Sequence, residues 1–411
     1  MACLLDLPGE LSFEIITLLH IGDRVSLSST CKFYRAQLLP EIFKTIRLSN
    51  DEAPATFALT VAETYGQYTK KIEFTCQCDQ DERATAPSLL PAAFEVLKGH
   101  LTPNLQTVKV KFDFDLDNEA NEVYLEFEFT EDANYMRERE LREKWRALMN
   151  ETWEALIANT FVTELILDWF PPMWTSTFHT DAFRQFLNQL ESATVNIFGF
   201  EDYSGVRTNT VGEYRNFLRN LDAIFFHHMR ELKYLHIQAS DPLGYANGHL
   251  TSIPLALKPD DLPLLQSLTL ENCFVCPELI SFIQGHAQVL KFLDLNECFS
   301  EQGSEVSWAR FFDEIYEAKP RLTELLAGGN KAPFLFDEMI NWEENDAVQL
   351  MRQKLEADST LKIFRQMHLD PDEGILSVDH DETVERFNQG DDQRAYDRLI
   401  ALVNKNRQTL T

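Results

Sequence analysis

Glycine is scarce in this chain, 15 residues in 411, and neither G-x-G-x-x-G nor G-x-x-x-x-G-K-[ST] occurs. Without such a loop the backbone has no glycine-rich cradle for a phosphate, which argues against nucleotide chemistry. Cysteine is also sparse and odd in number, at seven. A disulfide framework is therefore not expected, and free thiols in a reducing cytoplasm and/or nucleus are. Long apolar runs are missing: no window reaches the roughly 18 uncharged apolar residues that a membrane helix needs. The opening MACLLDLPGELSFEIITLL carries Asp6, Glu10 and Glu14 where a secretion signal needs a basic and then an unbroken apolar stretch. Positive charge is short as well, with 37 basic against 66 acidic residues and a net charge of −29. That field repels phosphate backbones and anionic lipid, so no nucleic acid and no membrane are expected as partners. Proteins are.

What the chain has is core material. Hydrophobic residues make up 44% and aromatic ones 11%, enough for two or three domains or one long repeat array. The first fifty residues read as three short helices. Pro8 and Glu10 suit a helix start, and Leu11, Ile15, Leu18 and Leu19 form one apolar stripe while Phe13 and Ile16 form another. His20, Ile21 and Gly22 read as a turn, Asp23 as the cap of a second helix, and Ser29 or Thr30 as the cap of a third carrying Cys31, Phe33, Tyr34 and Leu38. A unit of this size is short of core volume, so part of its apolar surface is expected to meet a partner.

Leu7-Pro8, Glu10-Leu11, Ile15, Leu18-Leu19, Asp23, Leu27-Ser28 and Cys31-Lys32 follow the order and spacing of an F-box, and this segment resembles that family. The resemblance covers about 45 of the 411 residues. It departs at Phe33-Tyr34, where the family often has a basic residue and Trp. What it implies is a three-helix module docked through an apolar surface on the Skp-type linker subunit, and through it a cullin, of an SCF (Skp, cullin, F-box) ubiquitin ligase. The implied linker contacts are Leu7, Pro8, Leu11, Ile15, Leu27 and Cys31.

Beyond the F-box-like segment one line recurs. LKYLHIQAS at Leu232, LQSLTLENC at Leu265 and LKFLDLNEC at Leu290 fit LxxLxLxx followed by a small or polar residue. Relaxed forms include IFKTIRLSN, LQTVKVKFD, VTELILDWF, SATVNIFGF and LTELLAGGN, with KKIEFTC a weaker one. Their central apolar residues are read at 46, 72, 108, 165, 195, 235, 268, 293 and 325, and amphipathic helical stretches lie between them. Strand followed by helix, many times over, resembles a leucine-rich-repeat solenoid, although intervals of 25 to 57 residues exceed the usual range of about 20 to 29. A doubly wound α/β domain alternates in the same way. The predicted fold class is α/β (α+β), with an F-box over 1–50, an irregular repeat-like solenoid over 51–330 and a helical, acidic C-terminal cap over 331–411.

Val108 to Leu116 and Val123 to Phe129 alternate in polarity around NEANE and predict a β-hairpin insertion near 108–130. Residues 135 to 159 predict one long helix whose arginines and glutamates interleave on a solvated face. Cys273-Phe-Val-Cys276 could form a redox pair, but Cys273 and Cys298 hold the same place in consecutive repeats, where a small buried residue ends the strand. No second Cys pair suits zinc. DPDEGILSVDHDE has its glycine one position early for an EF-hand and no Glu at the twelfth. His227-His228 reads as a helix edge, 370–392 as loop, and no cofactor, metal or catalytic residue is assigned.

Side chains alternate along a strand, so residues flanking the central apolar pair line the opposite face. Basic ones fall only in the first three strands, acidic ones dominate later, and Phe198, Tyr234 and Phe292 are aromatic. Candidate substrate contacts are Phe198, Tyr234, His236 and Phe292, with Glu271 and Asp294 selecting basic partner side chains. The functional expectation is a substrate-recognition adaptor for an unknown target protein, with no catalysis of its own. The alternatives are an F-box scaffold acting outside ubiquitination and an α/β enzyme, which would require a deep pocket with a strongly perturbed titratable group.

Overall fold

The computed structural model describes residues 8–78, 84–85, 87–114, 132–199, 207–245, 253–301, 303–329, 346–370 and 372–410. The chain starts with three helices, α1 (Gly9–Leu18), α2 (Ile21–Thr30) and α3 (Lys32–Ile42). Pro8 stands immediately before α1, where its missing N–H is not needed. Ile21 and Gly22 begin α2 rather than forming a turn, and Asp23 sits in that helix's first turn. Cys31, extended, precedes α3. Ile16, Tyr34 and Leu38 form a small core of their own, with Leu27, Cys31 and Ile42 packed against it.

A sheet follows, made of β1 (Thr45–Ser49), β2 (Lys71–Cys78), β3 (Thr107–Phe114), β4 (Glu164–Phe170), β5 (Ser192–Ile197), β6 (Tyr234–Leu243), β7 (Ser267–Phe274), β8 (Phe292–Glu301), β9 (Glu324–Ala327), β10 (Gln366–Leu369) and β11 (Leu376–Val378). The first nine are parallel and neighbour one another in chain order. β10 adds in parallel to the far half of β8, and β11 pairs with β10 antiparallel. Among the described residues this is an open eleven-stranded sheet of the α/β class.

Parallel neighbours need a crossover, and helices supply most of them. These are α4 (Glu52–Tyr65), α5 (Pro91–Leu97), α6 (Ala133–Glu140), α7 (Lys144–Ile157), α8 (Asp181–Asn188), α9 (Gly212–Arg219), α10 (Leu221–Ile224), α11 (Pro277–Gly285) and α12 (Trp308–Glu317). They pack on one face of the sheet. One residue per strand builds a continuous buried row, Ile46, Ile72, Val108, Leu165, Ala193, Leu235, Leu268, Leu293 and Leu325. Each fully buried Leu or Ile of such a row contributes about 1.5–3 kcal/mol through burial. The same row corrects one repeat: Ala193, not Val195, aligns with Leu165 and Leu235. Above the row, Trp153 of α7 is fully buried and meets Phe170, Phe178, Phe183 and Phe225 edge-on at 5.3–6.3 Å.

β1, the strand read around Ile46, pairs with β2 as the first strand of the sheet. The structure departs from the sequence reading in three further places. The predicted long helix breaks after Glu140 into α6 and α7. Arg146 is not solvated: it is buried against Glu143 at 2.5 Å with its guanidinium 4.4 Å from the Trp145 ring. β3 is a parallel member of the sheet, and the predicted return strand of the hairpin lies outside the described residues. Finally, 370–392 is not a loop. It holds β11 and α14 (His380–Gln389), between α13 (Asp346–Ala357) and α15 (Asp391–Leu410). Tyr396, Leu399 and Val403 of α15 are buried, and Tyr396 meets Phe312 of α12 at 5.3 Å, closing that end of the core. Among the described residues, no helix is long and apolar enough to cross a membrane.

Candidate functional site

Two surfaces carry the residues singled out by sequence. On the N-terminal helices, Pro8 and Leu11 are exposed, and Ile15, Leu27 and Cys31 are half-buried. Leu7 lies outside the described residues. Leu11 is 47% and Leu18 84% exposed, and Ile21, Val25 and Phe33 are exposed as well. Among the described residues these apolar side chains outnumber the three that the unit buries in its own core, because three short helices enclose too little volume for all of them.

The second surface is the sheet face opposite the helices. Its rows are polar and run in register across the strands. In its first half the cations are neutralised where they stand: Arg47 and Lys71 approach Glu73 at 2.7 and 2.8 Å, Lys109 meets Asp168 at 2.8 Å, and Lys111 meets Asp113 at 2.8 Å. Burial pushes the Glu73 carboxyl up, but hydrogen bonds from Lys71 and Arg47 outweigh it and hold Glu73 below its ordinary value.

The second half differs. Tyr234, Ser267 and Phe292 are register partners on β6, β7 and β8. At about 4.8 Å per strand the two rings stand roughly 10 Å apart with only a serine between them. Tyr234 is 53% exposed, and Phe292 is half-buried. One step along the strands, His236, Thr269 and Asp294 align. His236 Nε2 lies 2.9 Å from Glu271 Oε1, and Asp294 accepts a hydrogen bond from the Asn296 amide at 3.0 Å. Glu271 faces Glu297, which pairs with Arg365 at 2.5 Å. The structure thus gathers Tyr234, His236, Glu271, Phe292 and Asp294 into one patch over three adjacent strands, acidic at one side and aromatic at the other.

Phe198 does not belong to that patch, and its assignment is corrected. β5 ends at Ile197, and Phe198 is 6% exposed, stacked on Phe114 at 6.2 Å and Trp169 at 5.4 Å. The aromatic that reaches the open face near there is Trp169. Strict alternation from Leu165 and Leu167 would bury Trp169 and expose Phe170. Instead Trp169 takes φ 54°, the register slips between Leu167 and Phe170, and Phe170 is fully buried. Such a bulge re-aims one side chain, and Lys111 Nζ sits 4.6 Å from the exposed Trp169 ring. Asn272 marks a second bulge, in β7, with φ 57° and its side-chain amide donating to the carbonyls of Ala239 and Ser240 at 2.9 and 3.0 Å. Asparagine tolerates this conformation, so Asn272 was a readable signal; tryptophan gave none.

Cys273 and Cys276 sit in surroundings that keep their thiols protonated. Cys273 and Cys298 are buried register partners, and hydrogen bonding between the two thiols, together with burial, pushes the Cys273 thiol well above its ordinary value. Burial does the same to Cys276. A thiol held protonated is a poor nucleophile. Among the described residues no group of His, Cys, Asp and Glu could hold a metal ion. Set against known proteins, the chain matches no family model and no curated protein.

Proposed function

We propose that this chain is a substrate-recognition adaptor of an SCF-type ubiquitin ligase. α1–α3 act as an F-box that anchors the Skp-type linker and, through it, a cullin, while the open face of the sheet receives a target protein. The parallel, chain-ordered strands with helices on one side act as an irregular leucine-rich-repeat-like array. The observation that supports this most is the N-terminal unit, which among the described residues buries three apolar side chains and leaves Leu11, Leu18, Ile21, Val25 and Phe33 outside. An apolar surface of that kind on a small module fits a protein interface. The mechanism is positional: holding a target beside a ubiquitin-charged enzyme raises its effective concentration, and the chemistry occurs on other subunits.

On the open face, Tyr234 and Phe292 would act as anchors, with Glu271 and Asp294 facing basic side chains of the target. Affinity purification of the tagged full chain, probed for the linker and cullin subunits, tests the reading. Recovery of both from the wild type and of neither from Leu11→Asp is the expected result. Recovery of neither from the folded wild type, or equal recovery from both forms, overturns it. Recovery of the linker without a cullin points to a scaffold acting outside ubiquitination.

A further inference from the structure

Between the N-terminal helices and the start of the sheet lies a cleft of about 480 Å³, with walls from α2, α3, β1 and α4. Helix α4 shows how the apolar walls arise. The side chains it buries fully are Ala55, Ala58 and Ala62, all small, whereas its larger apolar residues Phe57, Val61 and Tyr65 line the cleft. Those three recur at every fourth position, so they form one row along the helix. Phe57 is 69% exposed. The N-terminal helices add Val25, Leu39 and Ile42 to the lining. Phe43 stacks on Tyr65 with ring centres 4.0 Å apart and planes 10° from parallel, so one wall is fixed before any ligand enters. A concave space of this size, mostly apolar with a few polar groups, has the form of a small-molecule site.

The charge in the cleft is opposite to that of the protein. The chain carries −29 overall, yet the charged lining residues, among those described, are Arg35 and Arg47. Arg47 is already held by Glu73 at 2.7 Å. Arg35 has no carboxylate: its Nε donates to the Ser28 carbonyl at 3.3 Å, and among the described residues its two terminal nitrogens meet no acceptor. A guanidinium fork left open in an apolar cleft suits a molecule with a carboxylate at one end and hydrocarbon at the other.

We propose that this cleft binds a free aliphatic carboxylate, with its chain packed between α4 and α2–α3 and its head on the Arg35 guanidinium. This goes beyond the adaptor reading and does not rest on it. Leu11, Leu18, Ile21 and Phe33 do not line the cleft, and Val25 is the residue of that exposed set which does.

The test is calorimetric titration and thermal unfolding of the full chain with octanoate, below its micelle-forming concentration. 1-Octanol and octylammonium serve as probes of equal chain length and different head. Octanoate should raise the melting temperature and bind about tenfold more tightly than octanol, with octylammonium the weakest. Arg35→Gln, at an exposed position, should lose that preference for octanoate and leave octanol binding unchanged. Phe57→Ser, also exposed, should weaken octanoate and octanol alike. No binding of octanoate, binding no tighter than that of octanol, or octanoate binding unchanged in either variant overturns the proposal. Octanoate binding by a chain that captures no linker would keep the proposal and remove the adaptor reading.

Discussion

The N-terminal helices and the sheet solve the same problem in opposite ways. Among the described residues of α1–α3, Ile16, Tyr34 and Leu38 are buried in a private core, and Leu18 is left 84% exposed. In the sheet every member of the row from Ile46 to Leu325 is buried, and its exposed large apolar residues are few, notably Trp169, Tyr234 and Leu326. Both regions are rich in leucine and isoleucine. The difference is volume: stacked strands and helices share one core, while three short helices cannot enclose theirs. Apolar exposure in the first region is therefore systematic, and in the second it is local enough to mark a site.

Leu268→Ala or Leu293→Ala should cost about 2–5 kcal/mol, because each leaves a cavity in the shared core. Thr269→Ser, on the open face beside Leu268, should stay within about 0.5 kcal/mol. Equal losses at Leu268 and Thr269 in a thermal melt would show that the two faces are not distinct.

In the N-terminal unit the expectation reverses. Ile15→Asp, together with Leu11→Asp as a more exposed control, should cost about 2 kcal/mol or more of linker binding while changing the melting temperature little. A fall in stability as large as that of Leu268→Ala would mean that this face is core rather than interface.

Glu301 sharpens the picture within the sheet. Its folded carboxyl titrates near 7, above the unfolded value. The folded state therefore binds the extra proton, so this contribution is present below about pH 4.5 and is lost as pH rises towards 7. Glu301→Gln should then be more stable than the wild type near pH 8, by up to about 3 kcal/mol, and equal to it near pH 4. A difference that does not vary with pH, measured by denaturant titration, would refute the burial account.

The smallest stability effect belongs to the patch. Tyr234→Ala should change stability by less than about 0.5 kcal/mol, since the ring is half in water, and should remove target capture while linker capture persists. Phe292→Ala, half-buried, should cost somewhat more stability and have the same effect on capture. Unchanged capture by both variants would move the target site elsewhere, with the Trp169 surface as the next place to substitute.

Much of the sheet was legible. Period-two alternation at Leu268 and Leu293 placed the inward row correctly in eight of nine strands, and Tyr234, His236, Glu271, Phe292 and Asp294 came together as their spacing implied. Val195 was misread because two apolar residues, Ala193 and Val195, both face inward, and only the neighbours decide which one aligns with Leu165. Phe198 was misread because alternation was carried past the end of β5. Trp169 was hidden because its bulge reverses the parity of the strand. A pocket at the C-terminal ends of β6–β8 was not legible at all, since its walls come from three separate segments, at 244, 274–277 and 301–306.

By itself the sequence determined which residues face inward in the regular parts of the strands, the sign of the charge and the apolar surplus of the first helices. Those are local properties, set by the pleat of a strand, the turn of a helix and a count of side chains. Only the tertiary structure decided where Trp169 and Phe198 point, that β10 and β11 extend the sheet beside β8, and that Glu301 is buried beside Tyr245. Each of these depends on which distant backbone offers the next hydrogen bond and which neighbour fills the space, and neither is written in the residues on either side.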